Sequence, residues 1–255
     1  MRLKVFVAAI GTMLMLSLSL VVGAADIRVI AGGPLPAVFK ELGPPFEKET
    51  GHKVLPSFAS TANVKRQIDE GTAFDVVVTD ALTVQAWIKE GKLVLSTQTP
   101  VAYAGFGLGV RAGVARPDLI SAIASRRALL NVNTLAHAPE SASATSLHNL
   151  LARLGIADEM KPRLRPIMGS GAIYKSVAAG EIDALVAAVP SILAAPGVDL
   201  AGSFPHELQT YIPFAAAVST NAKDSEAAQA FIRFLASPAA AKVLRAKGLE
   251  PGSPH

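Results

Sequence analysis

Four short runs of small and hydroxyl-bearing residues stand out in this 255-residue chain: Gly32 and Gly33, Ser60 and Thr61, Ser143 with Ala144 and Thr145, and Ser170 and Gly171. Each stands before, or opens, a run of apolar residues at helical spacing. The start of a helix leaves its first backbone N–H groups without partners and carries partial positive charge, so such a turn can hold an anion. Ser and Thr hydroxyls add donors, and glycine lets the backbone approach a ligand closely. These residue types support binding. The strings Ala59-Ser60-Thr61 and Gly169-Ser170-Gly171 do not complete a G-x-S-x-G nucleophile elbow. There is no H-E-x-x-H, the five histidines lie far apart in sequence, and there is no cysteine. The sequence therefore predicts a protein that binds and does not catalyse, with no catalytic residue, no metal and no cofactor.

The elements that must position these runs follow from periodicity. Residues 54–58 form an apolar strand that ends at Ser60 and Thr61. A helical run with Val64 and Ile68 on one face stops at Gly71, and residues 74–78 form a second strand; the unit is strand, turn, helix, strand. Residues 26–31 are a strand ending in Gly32, Gly33 and Pro34. Leu35, Val38, Phe39, Leu42 and Phe46 then recur at helical spacing, with Pro44 and Pro45 expected to kink or split that helix. No G-x-G-x-x-G follows the strand. Residues 81–90 read as a helix, with Trp87 and Ile88 against the sheet. Residues 101–110 form a strand broken by Gly105, Gly107 and Gly109, bent as a crossing between two lobes would be. Residues 117–130 are predicted helical, 132–136 a weak strand, 139–154 a hydroxyl-rich turn entering a helix, 172–179 a helix and 182–189 a strand. Residues 197–207 read as loop, and 211–219 as a strand returning to the first lobe. Two helices close the chain; Ala228, Phe231, Ile232 and Leu235 share one face of the first. Alternating strands and helices predict an α/β fold with mostly parallel sheets, whose ligands sit where strands end and helices begin. Two of the four runs fall in each half, which predicts two lobes closing on a ligand.

The N-terminus predicts the compartment. Arg2 and Lys4 form a basic head, residues 5–22 carry no charge, and Gly23, Ala24 and Ala25 offer a small-residue cleavage site before Asp26. This is the pattern of a secretory signal peptide over residues 1–25, with an uncleaved membrane anchor as the alternative. An exported chain without cysteine points to the bacterial periplasm. Without Arg2 and Lys4, 22 basic residues face 20 acidic ones. They form no basic face interleaved with aromatics, so nucleic acid is excluded as a partner.

At the four runs the chain resembles the periplasmic substrate-binding proteins of ABC transporters, in the molybdate-binding-protein-like branch. The matching pieces are VIAGGPLPAVFKELGPPFEKETGHKV, SFASTANVKRQIDEGTAFDVVVTD, SATSLHNLLARLGIADEMKPRL, GVDLAGSFPHELQTY and SEAAQAFIRFLASPAAAKVLRAKGLEP, in the family's order and covering nearly the whole chain after residue 25. The resemblance implies the type II periplasmic binding protein fold: two α/β lobes with mixed, mostly parallel sheets, joined by two crossing strands around a cleft. The lobes would be residues 26–104 with 212–255, and residues 105–211. It implies a monomer that delivers a small anionic solute to an inner-membrane ABC permease; a ligand-presenting role for a sensor kinase is the alternative. That branch carries paired serines after the first strand, where Gly32, Gly33 and Pro34 stand here. Ser60 and Thr61 match its second contact, Ser143, Ala144 and Thr145 its third, and Ser170 and Gly171 its fourth. Its tyrosine after the strand at 182–189 is replaced by Ala187 and Ala188. Loss of these hydroxyls argues for a small organic anion, such as a carboxylate, over molybdate or tungstate, with the glycines and alanines giving room. His148, Lys65 and Arg66 could add charge; each has a solvated surface role as its alternative.

Overall fold

Short β-branched or alanine-rich runs, separated by helices of four to fifteen residues, pack into two layered α/β units. The computed structural model describes residues 23–59, 61–139, 142–169 and 171–252; residues 1–22 of the signal peptide expected over residues 1–25 lie outside these. In chain order the elements are β1 (Asp26–Gly32), α1 (Pro36–Thr50), β2 (Lys53–Ala59), α2 (Thr61–Asp69), β3 (Val76–Asp80), α3 (Ala81–Lys89), β4 (Thr99–Ala104), β5 (Phe106–Arg111), α4 (Ala122–Leu130), β6 (Leu135–His137), α5 (Ala142–Arg153), α6 (Ala157–Met160), β7 (Leu164–Pro166), α7 (Ala172–Ala179), β8 (Ala184–Ala188), α8 (Val189–Leu193), β9 (Val198–Ser203), β10 (Ile212–Val218), α9 (Ser225–Leu235), α10 (Pro238–Ala246) and β11 (Glu250–Pro251).

Two sheets sort these strands. The first has six strands in the order β11-β4-β10-β3-β1-β2, and the second has five in the order β7-β6-β8-β5-β9. Both are mixed. β1 runs parallel to β2 and β3, and β6 parallel to β7 and β8. Antiparallel pairs enter where the chain passes between sheets: β10 with β3 and β4, and β5 with β8 and β9. The first passage is a single residue, Gly105, between β4 and β5; the second is the segment 204–211. Residues 101–110 are thus two strands of different sheets, not one bent strand.

Each sheet is covered on both faces. In the first, one core joins Val29, Val78 and Val218 to Phe39 and Phe46 of α1 and Phe231 of α9. The Phe46 and Phe231 rings meet edge to face at 5.0 Å. The other face packs Ile30 and Val77 against Val64 of α2 and Trp87 of α3. In the second sheet, Leu135 and Val186 pack on Leu147 and Leu151 of α5, and Ala136 and Leu185 on Ile173 and Val177 of α7. Ala188 and Ile212 touch the cores of both sheets.

Three local readings are corrected. α1 is not split at Pro44 and Pro45. Both prolines lie on the exposed side, where water can satisfy the carbonyls they free, while Leu42 and Phe46 hold the helix to the core. Residues 117–121 are not helical; Ser121 caps α4 by accepting from the Ala124 N–H at 3.2 Å. Residues 198–203 are β9, an edge strand on β5, rather than loop. Its composition, VDLAGS, carries little strand signal.

At the N-terminal end of the first sheet, Asp75 is almost fully buried and takes four hydrogen bonds. Arg28 gives three, from Nε at 2.8 Å, Nη2 at 2.7 Å and its backbone N–H at 2.8 Å, and Lys223 gives its N–H at 2.8 Å. Burial alone would raise this carboxyl, but the bonds from Arg28 and Lys223 outweigh it and hold Asp75 below the ordinary value of 3.8.

Candidate functional site

Six helices, α1, α2, α3, α5, α7 and α8, start where a parallel strand or β8 ends. α4, α9 and α10 start elsewhere, and each has a side-chain cap: Ser121, Asp224 and Ser237 accept from the N–H groups of Ala124, Ala227 and Ala240. α6 is a single turn with Asp158 and Glu159 at its start. At the strand ends the pattern changes. The residues before α1, α7 and α8, which are Leu35, Gly171 and Ala188, give no side-chain cap. First-turn acids do not separate the two groups, because of the ten described α-helices only α6 and α9 carry one. Only α3 among the helices at strand ends has a described cap, Asp80, which accepts from the Thr83 N–H at 2.9 Å. At α8 the Val189 N–H already donates to the Gly105 carbonyl and Pro190 has none. α1, whose Val38 N–H donates to the Leu35 carbonyl, and α7 keep fewer open donors, with positive dipole ends that a bound anion would complete.

The first loop is backbone only. Gly32 ends β1 opposite Ala59 of β2. Gly33 has φ of +76°, and a Cβ built there would stand 2.9 Å from Phe214 Cε1. Both the left-handed backbone and the aromatic ring exclude a side chain. The expectation that this glycine gives a ligand room is therefore corrected: Phe214 of β10, itself buried, fills that space. Ala188 is half-buried and packs against the cores of both sheets.

The other sequence-chosen residues divide. Ser60 and Ser170 lie outside the described residues. Thr61 opens α2 and Gly171 precedes α7. In the first turn of α5, Ser143 and Ala144 are buried and Thr145 is exposed. Gly33 meets Phe214, Gly32 pairs with Ala59, and Ala188 pairs with Phe106 at the start of β5. Lys65 spends its charge on Asp69, which Lys92 also holds, so its surface role is the one observed. Arg66 reaches Asn63 at 3.4 Å. His148 is exposed, and its ring meets that of buried His137, the last residue of β6, at 5.7 Å.

Tyr174, not singled out in the sequence, packs against the core beside the start of α7. It stands in the first turn of α7, where burial pushes its phenol above the usual value and a hydrogen bond with Ser191 of α8 pulls it partly back. Its position three residues after Gly171 was the available signal. A surface cavity of about 260 Å³ lies elsewhere, among Ile68, Phe74, Lys92 and Thr220 at the N-terminal end of β3. It lies at the opposite end of β3 from the start of α3.

A family model described as bacterial extracellular solute-binding protein matches residues 27–250. The chain is 26% identical to a Pseudomonas protein named aconitate isomerase, over 95% of both chains. It is 29% identical to the Azotobacter vinelandii molybdate-binding protein ModA, over 88% of this chain and 90% of the relative. Its fold is similar to that of the substrate-binding domain of a putative molybdenum ABC transporter from Clostridium difficile, with a TM-score of 0.78 at 16% identity, covering 90% of this chain and all of that one. The isomerase corrects one expectation. A relative aligned along nearly the full length bears an enzyme's name, so the hydroxyl-and-glycine composition of the loops does not exclude catalysis.

Proposed function

The chain belongs to the bacterial extracellular solute-binding protein family, and from that premise we propose that it captures a small di- or tricarboxylate between its two sheets. The observation that carries this reading is the contrast in helix caps. The starts of α1 and α7 lack side-chain caps, whereas α4, α9 and α10 are capped from within. Carboxylates at these ends would complete the orphan N–H groups. The first loop favours an organic body over a tetrahedral oxyanion, because Gly33 against Phe214 offers carbon where a hydroxyl would be needed. In this reading residues 26–104 with 212–255 form one lobe and residues 105–211 the other. Residues 1–25 direct export to the periplasm, and the loaded monomer delivers its ligand to an inner-membrane ABC permease.

The full-length match to aconitate isomerase favours a second reading. Here the cleft holds an unsaturated tricarboxylate and moves an allylic proton. His137, His148 and Tyr174 are the titratable side chains that the second sheet would offer for that transfer.

One experiment tests both. The mature chain from Asp26 is melted with molybdate, tungstate, sulfate and phosphate, and with citrate and cis- and trans-aconitate. A ligand at a hundredfold its Kd stabilises by about 2.7 kcal/mol. Stabilisation by carboxylates is expected, and stabilisation by molybdate or tungstate alone overturns the reading. Proton NMR of trans-aconitate incubated with the protein then separates capture from isomerisation.

A further inference from the structure

Gln209 lies in the second passage between the sheets. Its Oε1 accepts from the Phe106 N–H at 2.8 Å, and its Nε2 donates to the carbonyls of Phe106 at 2.8 Å and Phe204 at 3.0 Å. One side chain thus satisfies both backbone groups of the residue that opens β5, and a third group just beyond β9. The backbone ladder between these strands starts at Gly107 opposite Ser203, and the Phe204 N–H reaches the Phe106 carbonyl at 3.2 Å. Beyond that point the two passages diverge, and the Gln209 amide continues the ladder across the gap.

The amide also explains Gly105. A Cβ on Gly105 would stand 3.0 Å from Gln209 Nε2 and 3.1 Å from Cδ. The one residue that carries the chain from the first sheet to the second is bare because the amide of the other passage packs over it. The Gly105 carbonyl in turn accepts from the Val189 N–H at 2.9 Å. This fixes the end of β8, where Ala188 faces Phe106.

We infer that Gln209 is a positioning residue of the cleft: its amide fastens the two passages together, so that the lobes turn about them as one joint. The inference uses the two-lobe reading and is independent of the ligand's identity. Alanine at 209 would strand the Phe106 N–H and the Phe204 carbonyl, while the Phe106 carbonyl would keep the Phe204 N–H. Methionine would fill the space and strand the same groups.

The chain has no cysteine, so spin labels can be placed uniquely at exposed Lys48→Cys in α1 and Arg127→Cys in α4. Interlobe distances are measured on the full mature chain without ligand, as the parent, Gln209→Ala and Gln209→Met. Amide exchange of Phe106 is followed in parallel. A distance distribution about twofold broader in both variants is expected. Phe106 exchange should be roughly tenfold faster, the scale of one net hydrogen bond, with Val78 and Leu185 in the two sheets unchanged. An unchanged distribution with faster Phe106 exchange would reduce Gln209 to a local cap and overturn the inference, as would unchanged exchange. A protein that binds no carboxylate would defeat the proposed ligand while leaving these measurements intact.

Discussion

At the N-terminal end of the first sheet a carboxylate is sunk among donors: Asp75 takes three hydrogen bonds from Arg28 and one from Lys223. At the C-terminal end of the same sheet, a few residues along the same strands, α1 begins without a side-chain cap and without an acid, and α2 begins without an acid. Both ends concentrate N–H groups. One is completed by the protein's own carboxylate, and its groups are fixed whether or not a solute is present. The other is left, under the proposed function, for a carboxylate from outside. That proposal assigns stability and binding to opposite ends of one sheet, with residues of the same chemical type serving either purpose according to whether a partner was built in.

The largest effect that would test this division is at the built-in end. Asp75→Ala leaves the Arg28 guanidinium, only about a quarter exposed, without its partner and should cost about 3 kcal/mol in chemical denaturation. The sign of its pH dependence follows from the lowered carboxyl. The contribution is complete above the ordinary value of 3.8 and is lost as pH falls through the lower folded value. Asp75→Asn should flatten that acid limb of the stability curve. A parent protein with no such limb would contradict the assignment.

Next in size is Gly33→Ser, which installs the hydroxyl that the first loop lacks. The left-handed backbone and the Phe214 ring should make it cost about 2 kcal/mol. Adding Phe214→Ala should relieve the steric part, so the double variant loses less than the two single losses combined. Strict additivity would show that Phe214 does not confine the loop. The smallest effect sharpens the comparison within the cleft end itself. Asp80→Ala removes the cap of α3 at about 1 kcal/mol, and sulfate should then stabilise the variant more than it stabilises the parent. An equal response to sulfate would mean that uncapping a helix at this end does not create an anion site.

Much of this arrangement was legible in the sequence. The face of α9 was named from spacing, and Ala228, Phe231, Ile232 and Leu235 are all buried. The glycine and hydroxyl runs were placed before helices, and α2, α5 and α7 begin there. What could not be read depends on neighbours far along the chain. Nothing near Gly33 announces that Phe214 fills the space beside it, and nothing near Gly105 announces Gln209. The prolines of α1 broke a local rule because burial of Leu42 and Phe46 outweighs the lost bonds. β9 escaped notice because an edge strand draws its order from β5 rather than from its own composition. Binding without catalysis was inferred from missing motifs, and a relative's name overturned it, since motif absence excludes only the chemistries that have motifs.

The strand order of the first sheet bears on how the chain reaches this state. β10 lies between β3 and β4, yet it follows the whole second sheet in sequence. A growing chain that has emerged as far as Ala104 holds β1, β2 and β3 together but has no bridge to β4. The second sheet draws on one continuous segment and can close as soon as β9 is out. The first must wait for residue 218 and its long-range pairings, which are slow to form. The half of the molecule made first is therefore finished last, and an immature chain exposes the unpaired edges of β3 and β4 until the return strand slots between them.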